Sequence, residues 1–268
     1  MRRRSLSLLG IVVFGYALLY VPIVSVIIYS FNDSRLVTLW GGFSTRWYAS
    51  LLHDSELLEA AFLSLRVAVV SATFATALGA LIALALSRVG RLRGRLLLSG
   101  MITAPLVMPE IITGLSLLFL FISMANLIGW PMARGATTIT IAHITFSMAY
   151  VVVVVRSRLA AMDESLEEAA MDLGGRPVAV FFDITVPMLL PALVSGWLLA
   201  FALSLDDLVI SSFVSGPGAT TLPMLIFAKV RLGVTPDINA ITTIIIGLVA
   251  VAVATAAVLT GRRRPSTG

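Results

Sequence analysis

The amino-acid sequence predicts an all-α protein that crosses a membrane several times, and three observations carry that expectation. Apolar residues make up 59% of the 268, charged residues only 12%, and the mean hydropathy is +1.02. Globular chains average about 45–50% apolar and about 25% charged, so most of this chain is suited to lipid rather than water. Six long apolar stretches each reach the length a helix needs to cross a hydrocarbon core, about 20 residues. Between them the arginines fall in short clusters, the pattern that sets membrane topology. A stripe that binds nucleic acid looks different, so the formal charge of +5 implies no nucleic-acid partner.

The first stretch, Ser5 to Asn32, is free of ionised groups and follows Arg2-Arg3-Arg4. It is too long for a signal-peptide core and no A-x-A-like cleavage site follows it, so it reads as a retained helix. The second (Val67 to Ser87), fourth (Gly135 to Val155) and sixth (Ile238 to Gly261) are each bounded by charges or turn residues. The third begins at Leu96 and continues past Ala125, with Pro105, Pro109 and Glu110 inside it. On a straight helix Glu110 would stand about 22 Å beyond Arg95. The fifth starts near Ile184 and carries Asp206-Asp207 before further apolar residues. Leu208 to Ala228 is also uncharged, but Gly216, Pro217, Gly218 and Pro223 break any continuous seventh span.

Six spans put both termini on one side. The N-terminus, the loops after the second and fourth spans and the tail (Arg262, Arg263, Arg264) hold thirteen positive residues, against six on the other face, so both termini are expected in the cytoplasm. The expected organisation is an N-terminal helix with its extracytoplasmic loop (1–61), a transport core (62–259) and a short cytoplasmic tail (260–268). There is no cysteine, and His53 and His143 lack companion ligands, so neither a disulfide framework nor a metal site is expected.

An ionisable residue inside a span costs about 2.5–3.5 kcal/mol to insert and is a functional candidate for that reason. Glu110, Asp206 and Asp207 are three such residues, and carboxylates facing one cavity suit a ligand with more than one positive charge. Adjacent helical residues diverge by about 100°, so only one of the two aspartates is expected to point directly at a ligand. Tyr20, Tyr150 and Trp47 are candidates for cation–π contact with ammonium groups. The competing reading has Glu110 paired with Arg66 or another partner, the aspartates capping a helix, and the aromatics anchoring the interface.

Residues 163–191 form the longest cytoplasmic connection. Leu166, Ala170 and Leu173 recur at helical spacing with acids on the other faces, which predicts a short amphipathic helix. Gly174 supplies a left-handed stop and Pro177 starts a second short helix that leads to Pro187 and Pro191 at the membrane entry.

The spacing of Glu168-Ala169-Ala170, Gly174, Ile184, Val186-Pro187 and Pro191 resembles the EAA loop of bacterial ABC-importer permeases, with Val186 where that family commonly has leucine. The resemblance implies a type I (MetI-like) permease fold and a coupling helix that docks on a separate ATPase. Glu168 would then pair with a basic residue there, while Ala169 and Ala170 permit close approach and Gly174 sets the turn. The only lysine, Lys229, has no P-loop sequence around it, so ATP and Mg are expected on the partner and no cofactor on this chain. Residues 102–114, 203–218, 44–48 and 220–224 are similar to polyamine (putrescine and spermidine) permeases of bacterial inner membranes. That likeness implies four kinds of companion: a second homologous permease subunit, two copies of an ATP-binding subunit, an extracytoplasmic polyamine-binding protein and the lipid bilayer. Another small cationic solute is the alternative cargo. A secondary transporter or channel is the alternative class, and it would suit an internal inverted repeat that is not visible here. No nucleophile–base pair points to a catalyst.

Overall fold

The structure is a computed structural model that describes residues 2–36, 39–88, 94–232 and 236–261. Arg91, Arg93 and the tail arginines, which contribute to the charge asymmetry, lie outside the described residues. The helices, in chain order, are α1 (Arg2–Tyr29), α2 (Arg46–Leu51), α3 (Ser55–Arg88), α4 (Arg95–Val107), α5 (Glu110–Ile128), α6 (Ala136–Ala160), α7 (Ser165–Asp172) and α8 (Pro177–Val180), followed by α9 (Val186–Asp206), α10 (Val209–Val214), α11 (Leu222–Leu232) and α12 (Pro236–Gly261). Six segments are long and apolar enough to span a membrane: Leu9–Tyr29, Ser55–Arg88, Glu110–Ile128, Ala136–Ala160, Pro177–Asp206 and Pro236–Thr255. Among the described residues the only extended pairing is one antiparallel bridge, Asn32 with Phe43.

Two of the expected stretches take a different form. The third is two helices, α4 and α5, separated by Met108 and Pro109 in extended conformation, with ψ of 139° and 137°. Pro109 disfavours helical geometry at the residue before it, so the helix stops there, while Pro105 is carried inside α4. Glu110 therefore opens a new helix instead of sitting far along a straight one. The fifth stretch is longer than expected, because α8 runs on through a π-helical turn, Phe181–Thr185, directly into α9. Pro187, which cannot donate a backbone hydrogen bond and crowds the carbonyl of residue 183, follows that widened turn immediately, and Pro191 lies within α9.

The chain divides into two compact units. One comprises residues 60–224 together with the C-terminal residues from 256. Its first cluster joins α3, α6 and α9: Ala68, Ala72, Ala75 and Ala83 are fully buried beside Val151, Val152, Val155 and Leu189. Without a hydrophobic drive between helices in lipid, close packing of small residues is what holds spans together. Gly79 and Gly196 show the requirement, since a Cβ would lie 2.9 Å from Val151 at the first and 3.3 Å at the second. A second cluster, with Phe121, Ile139, Phe146, Ile210 and Val214, joins α5, α6 and α10. Gly114 admits α10 there, because a Cβ would come within 2.7 Å of the Phe213 ring.

The other unit comprises residues 1–59 and 225–255. Its loop after α1 is organised by Asn32, whose buried side chain accepts from Gly41 N (2.7 Å) and donates to Leu39 O (2.7 Å). Lys229 of α11 is bracketed by Asp54 (3.1 Å) and Asp237 (3.9 Å).

Candidate functional site

The break before Pro109 places Glu110 in the first turn of α5, where the helix dipole favours a negative charge. Among the described residues Glu110 forms no ion pair, with Arg66 or any other, and it is exposed. Asp206 is the last residue of α9 and is exposed as well, whereas Asp207 has left helical geometry (ψ 119°). The two aspartates divide at that point. Asp207 is an N-terminal cap for α10, its Oδ1 accepting from Ile210 N (3.1 Å) and its Oδ2 from Ser211 N (2.7 Å). Its side chain is 6% exposed. Glu110, Asp207 and His143 all lie within electrostatic range of Asp206.

His143 is the residue that sequence reasoning missed. The imidazole, 2% exposed on α6, is bonded at both ring nitrogens: Nδ1 to Ser204 Oγ (2.6 Å), Nε2 to Asp207 Oδ2 (3.1 Å) and Ser211 Oγ (3.1 Å). Ser71 of α3, whose hydroxyl donates to Val67 O of its own helix (2.6 Å), lies 3.1 Å from Ser204 Oγ, which brings a fourth helix against the network. As a metal ligand His143 lacks companions in the sequence. The signal that finds it is its place within Ile141-Ala142-His143-Ile144, an ionisable side chain in an apolar span.

The aromatic candidates separate. Tyr150 is half-buried in the same unit as the acids, edge-to-face with Phe146 at 5.2 Å. Tyr20, on α1, is exposed and stacked on Tyr16, and Trp47 lies on the short helix α2. The indole N–H of Trp47 donates to Asn32 O (2.6 Å), and the Arg46 guanidinium lies 4.4 Å from its ring centroid. Its aromatic face is thus already in a cation–π contact. Among the described residues no group of three His, Cys, Asp or Glu stands close enough to hold a metal.

The loop between the fourth and fifth spans contains α7 and the turn that ends it. Gly174, with φ of +89°, donates to Met171 O (2.9 Å), and Gly175 donates to Ala170 O (3.0 Å), the paired bonds of a left-handed helix stop. The orientation of α7 differs from the expected one. Leu166 (47% exposed) and Leu173 (90%) face outward with Glu168 and Ala169, while Glu167 turns in. Its Oε1 accepts from Arg88 Nη2 at the end of α3 (3.2 Å) and from Thr185 Oγ1 (2.9 Å), and Arg88 also pairs with Glu164. The inward side of α7 is thus taken by a carboxylate with two partners, and Leu166 and Leu173 remain exposed.

Residues 75–263 match the family model described as "Binding-protein-dependent transport system inner membrane component". The chain is similar to the putrescine transport system permease protein PotI of Escherichia coli K12, 59% identical over 241 residues, covering 90% of this chain and 86% of that one. It is also similar to the spermidine/putrescine transport system permease protein PotC of the same strain, 44% identical over 233 residues, covering 87% and 86%. Among solved structures, a chain of a bacterial ABC transporter involved in the import of the acidic polysaccharide alginate has the same fold. The TM-score is 0.75 at 16% identity, over 97% of this chain and 96% of that one.

Proposed function

Because the chain belongs to the binding-protein-dependent inner-membrane components, the permease subunits of ABC importers, we propose that it carries a polyamine, putrescine or spermidine, through a pathway lined by Glu110 and Asp206. A permease subunit is not itself an enzyme; ATP is hydrolysed on a separate subunit. The observation that carries the cargo reading is the pair of exposed carboxylates, without ion-pair partners among the described residues, each beside a helix break and within electrostatic range of the other, in a chain 59% identical to a putrescine permease. Two fixed negative charges suit the two ammonium groups of a diamine, and Tyr150 is positioned in the same unit for an aromatic contact. Asp207 contributes its field from the capping position. Tyr20 and Trp47 are weaker members of the set, the latter because Arg46 already covers it.

The proposed assembly pairs this chain with a second homologous permease, two ATP-binding subunits carrying ATP and Mg, and an extracytoplasmic polyamine-binding protein. Both termini would lie in the cytoplasm. The outward face of α7, with Glu168 and Ala169, would dock on the ATPase, the small half-buried Ala170 beside it permitting close approach, and Gly174 would hold the angle of that face. Closure of the ATPase subunits would move α7, and α7 would draw on α3 and α9 through Arg88 and Thr185, so that access to the acids alternates.

Uptake of radiolabelled putrescine and spermidine in cells lacking their own polyamine importers, with this chain and its companion subunits supplied together, tests the reading. Saturable, ATP-dependent uptake competed by the other polyamine is expected. Uptake of a neutral or anionic solute in preference to either would overturn it.

A further inference from the structure

The buried network around His143 goes beyond the two free carboxylates. Four helices meet at one imidazole: α3 through Ser71 and Ser204, α6 through His143 itself, α9 through Ser204, and α10 through Ser211 and the capping carboxylate of Asp207. A ring this deeply buried must have both nitrogens bonded, since each unsatisfied polar atom costs about 1–3 kcal/mol. With Nε2 donating to Asp207 Oδ2, Nδ1 accepts from the Ser204 hydroxyl, and Ser71, whose own proton is directed mainly at Val67 O (2.6 Å), packs 3.1 Å from Ser204 Oγ. Asp207 then has three donors, Ile210 N, Ser211 N and the imidazole, and its carboxylate is held to the start of α10. Asp206 is the last residue of α9, so whatever fixes Asp207 and Ser204 on either side of it also fixes the backbone from which Asp206 projects.

We infer that His143 is a positioning residue of the cation site: by clamping Asp207 and Ser204 it fixes the junction of α9 and α10, from which Asp206 is presented to an ammonium group. This rests on the polyamine reading above. His143 touches no cargo itself; it acts through the two residues that flank the free carboxylate.

The test compares His143→Gln, whose amide N–H reaches toward the Nε2 position and can still donate to Asp207, with His143→Leu, which fills similar space and donates nothing. Each is combined with Asp207→Asn, in the full complex with its binding protein, with assembly checked by co-purification. KM and maximal rate of putrescine uptake are read alongside the ATPase rate in the absence of cargo. His143→Leu should raise KM about tenfold, the loss of one hydrogen bond to a charged group, with cargo-free ATPase unchanged. His143→Gln should recover most of that loss. Adding Asp207→Asn to His143→Leu should raise KM by less than Asp207→Asn does alone, because the clamp is already gone. A leucine variant that assembles with wild-type KM, or additive effects of the two changes, overturns the inference. So does a glutamine variant no better than leucine. If the wild-type complex takes up no polyamine, the cargo reading fails and this inference with it, an outcome the wild-type control alone identifies.

Discussion

Substitution at Gly174 and Gly175 separates two physical requirements at one turn. Gly174 has φ of +89°, and a Cβ added there would meet nothing within 4 Å. Its constraint is therefore backbone conformation alone, which costs an ordinary L-residue roughly 1–2 kcal/mol and a β-branched one about 1–3 kcal/mol. Asparagine tolerates the left-handed region and should be nearly silent. At Gly175 the backbone is not left-handed, but a Cβ would fall 2.7 Å from Ala170 O and 3.0 Å from Val180 Cγ2. Alanine alone is then enough to open the turn. In purified complexes with the ATPase and binding protein, cargo-stimulated ATPase and uptake should rank wild type and Gly174→Asn first, Gly174→Ala next and Gly174→Val last. The valine protein should be down about fivefold or more in stimulation, since about 1.4 kcal/mol shifts a population tenfold. Gly175→Ala should resemble Gly174→Val. Membrane insertion and cargo-independent ATPase should be unchanged throughout. Normal coupling in Gly174→Val, or equal behaviour of its asparagine and valine variants, would refute the claim that the angle of α7 transmits movement.

Three further outcomes follow from the same structure. Asp206→Asn and Glu110→Gln should each lower transport efficiency about tenfold by removing a counter-charge, whereas Asp207→Asn should also lower thermal stability by about 1 kcal/mol because an amide offers one acceptor oxygen to the Ile210, Ser211 and His143 donors; uptake kinetics and melting of the detergent-solubilised complex distinguish them. Arg88→Ala should leave assembly intact but uncouple ATPase turnover from uptake by freeing Glu164 and Glu167 together, and the exchange Arg88→Glu with Glu167→Arg should restore part of the coupling. Burial pushes Asp54 up, but the Leu57 N–H and Lys229 outweigh it and hold its carboxyl below the usual range. A depressed folded-state value adds stability that is present above about pH 3.9, the ordinary aspartate value, and lost as pH falls through the folded one. Hydrogen exchange of the α11 amides should therefore be flat from pH 8 to about 5 and accelerate only below about 4, after correction for intrinsic rates; earlier loosening would show that the Lys229 contact is not what holds that helix.

Much of this molecule was legible from its residues because lipid enforces simple rules. Span number, the absence of a seventh span between Leu208 and Ala228, and the left-handed stop at Gly174 follow from length, Gly-Pro content and spacing, and the structure shows each. The helix break at Pro109 was signalled, but its result was not, since periodicity alone does not say whether a proline bends a helix or ends it. Pro191 is carried inside α9, whereas α4 ends before Pro109, where Met108 adopts the extended geometry that a following proline favours. The inward turn of Glu167 and the network at His143 were illegible for another reason. Each depends on partners far along the chain, Arg88 at 79 residues' separation and Ser204 at 61, and spacing along one helix cannot reveal them. The two networks are linked by the same rods. α9, with the helical segment that leads into it, extends from the α7 turn to Asp206, and α3 extends from Arg88 back past Ser71; each is held to the coupling loop at one place and to the His143 cluster at another. A displacement of α7 by the proposed ATPase partner would therefore reach the carboxylates through two packed helices whose buried alanines leave little slack.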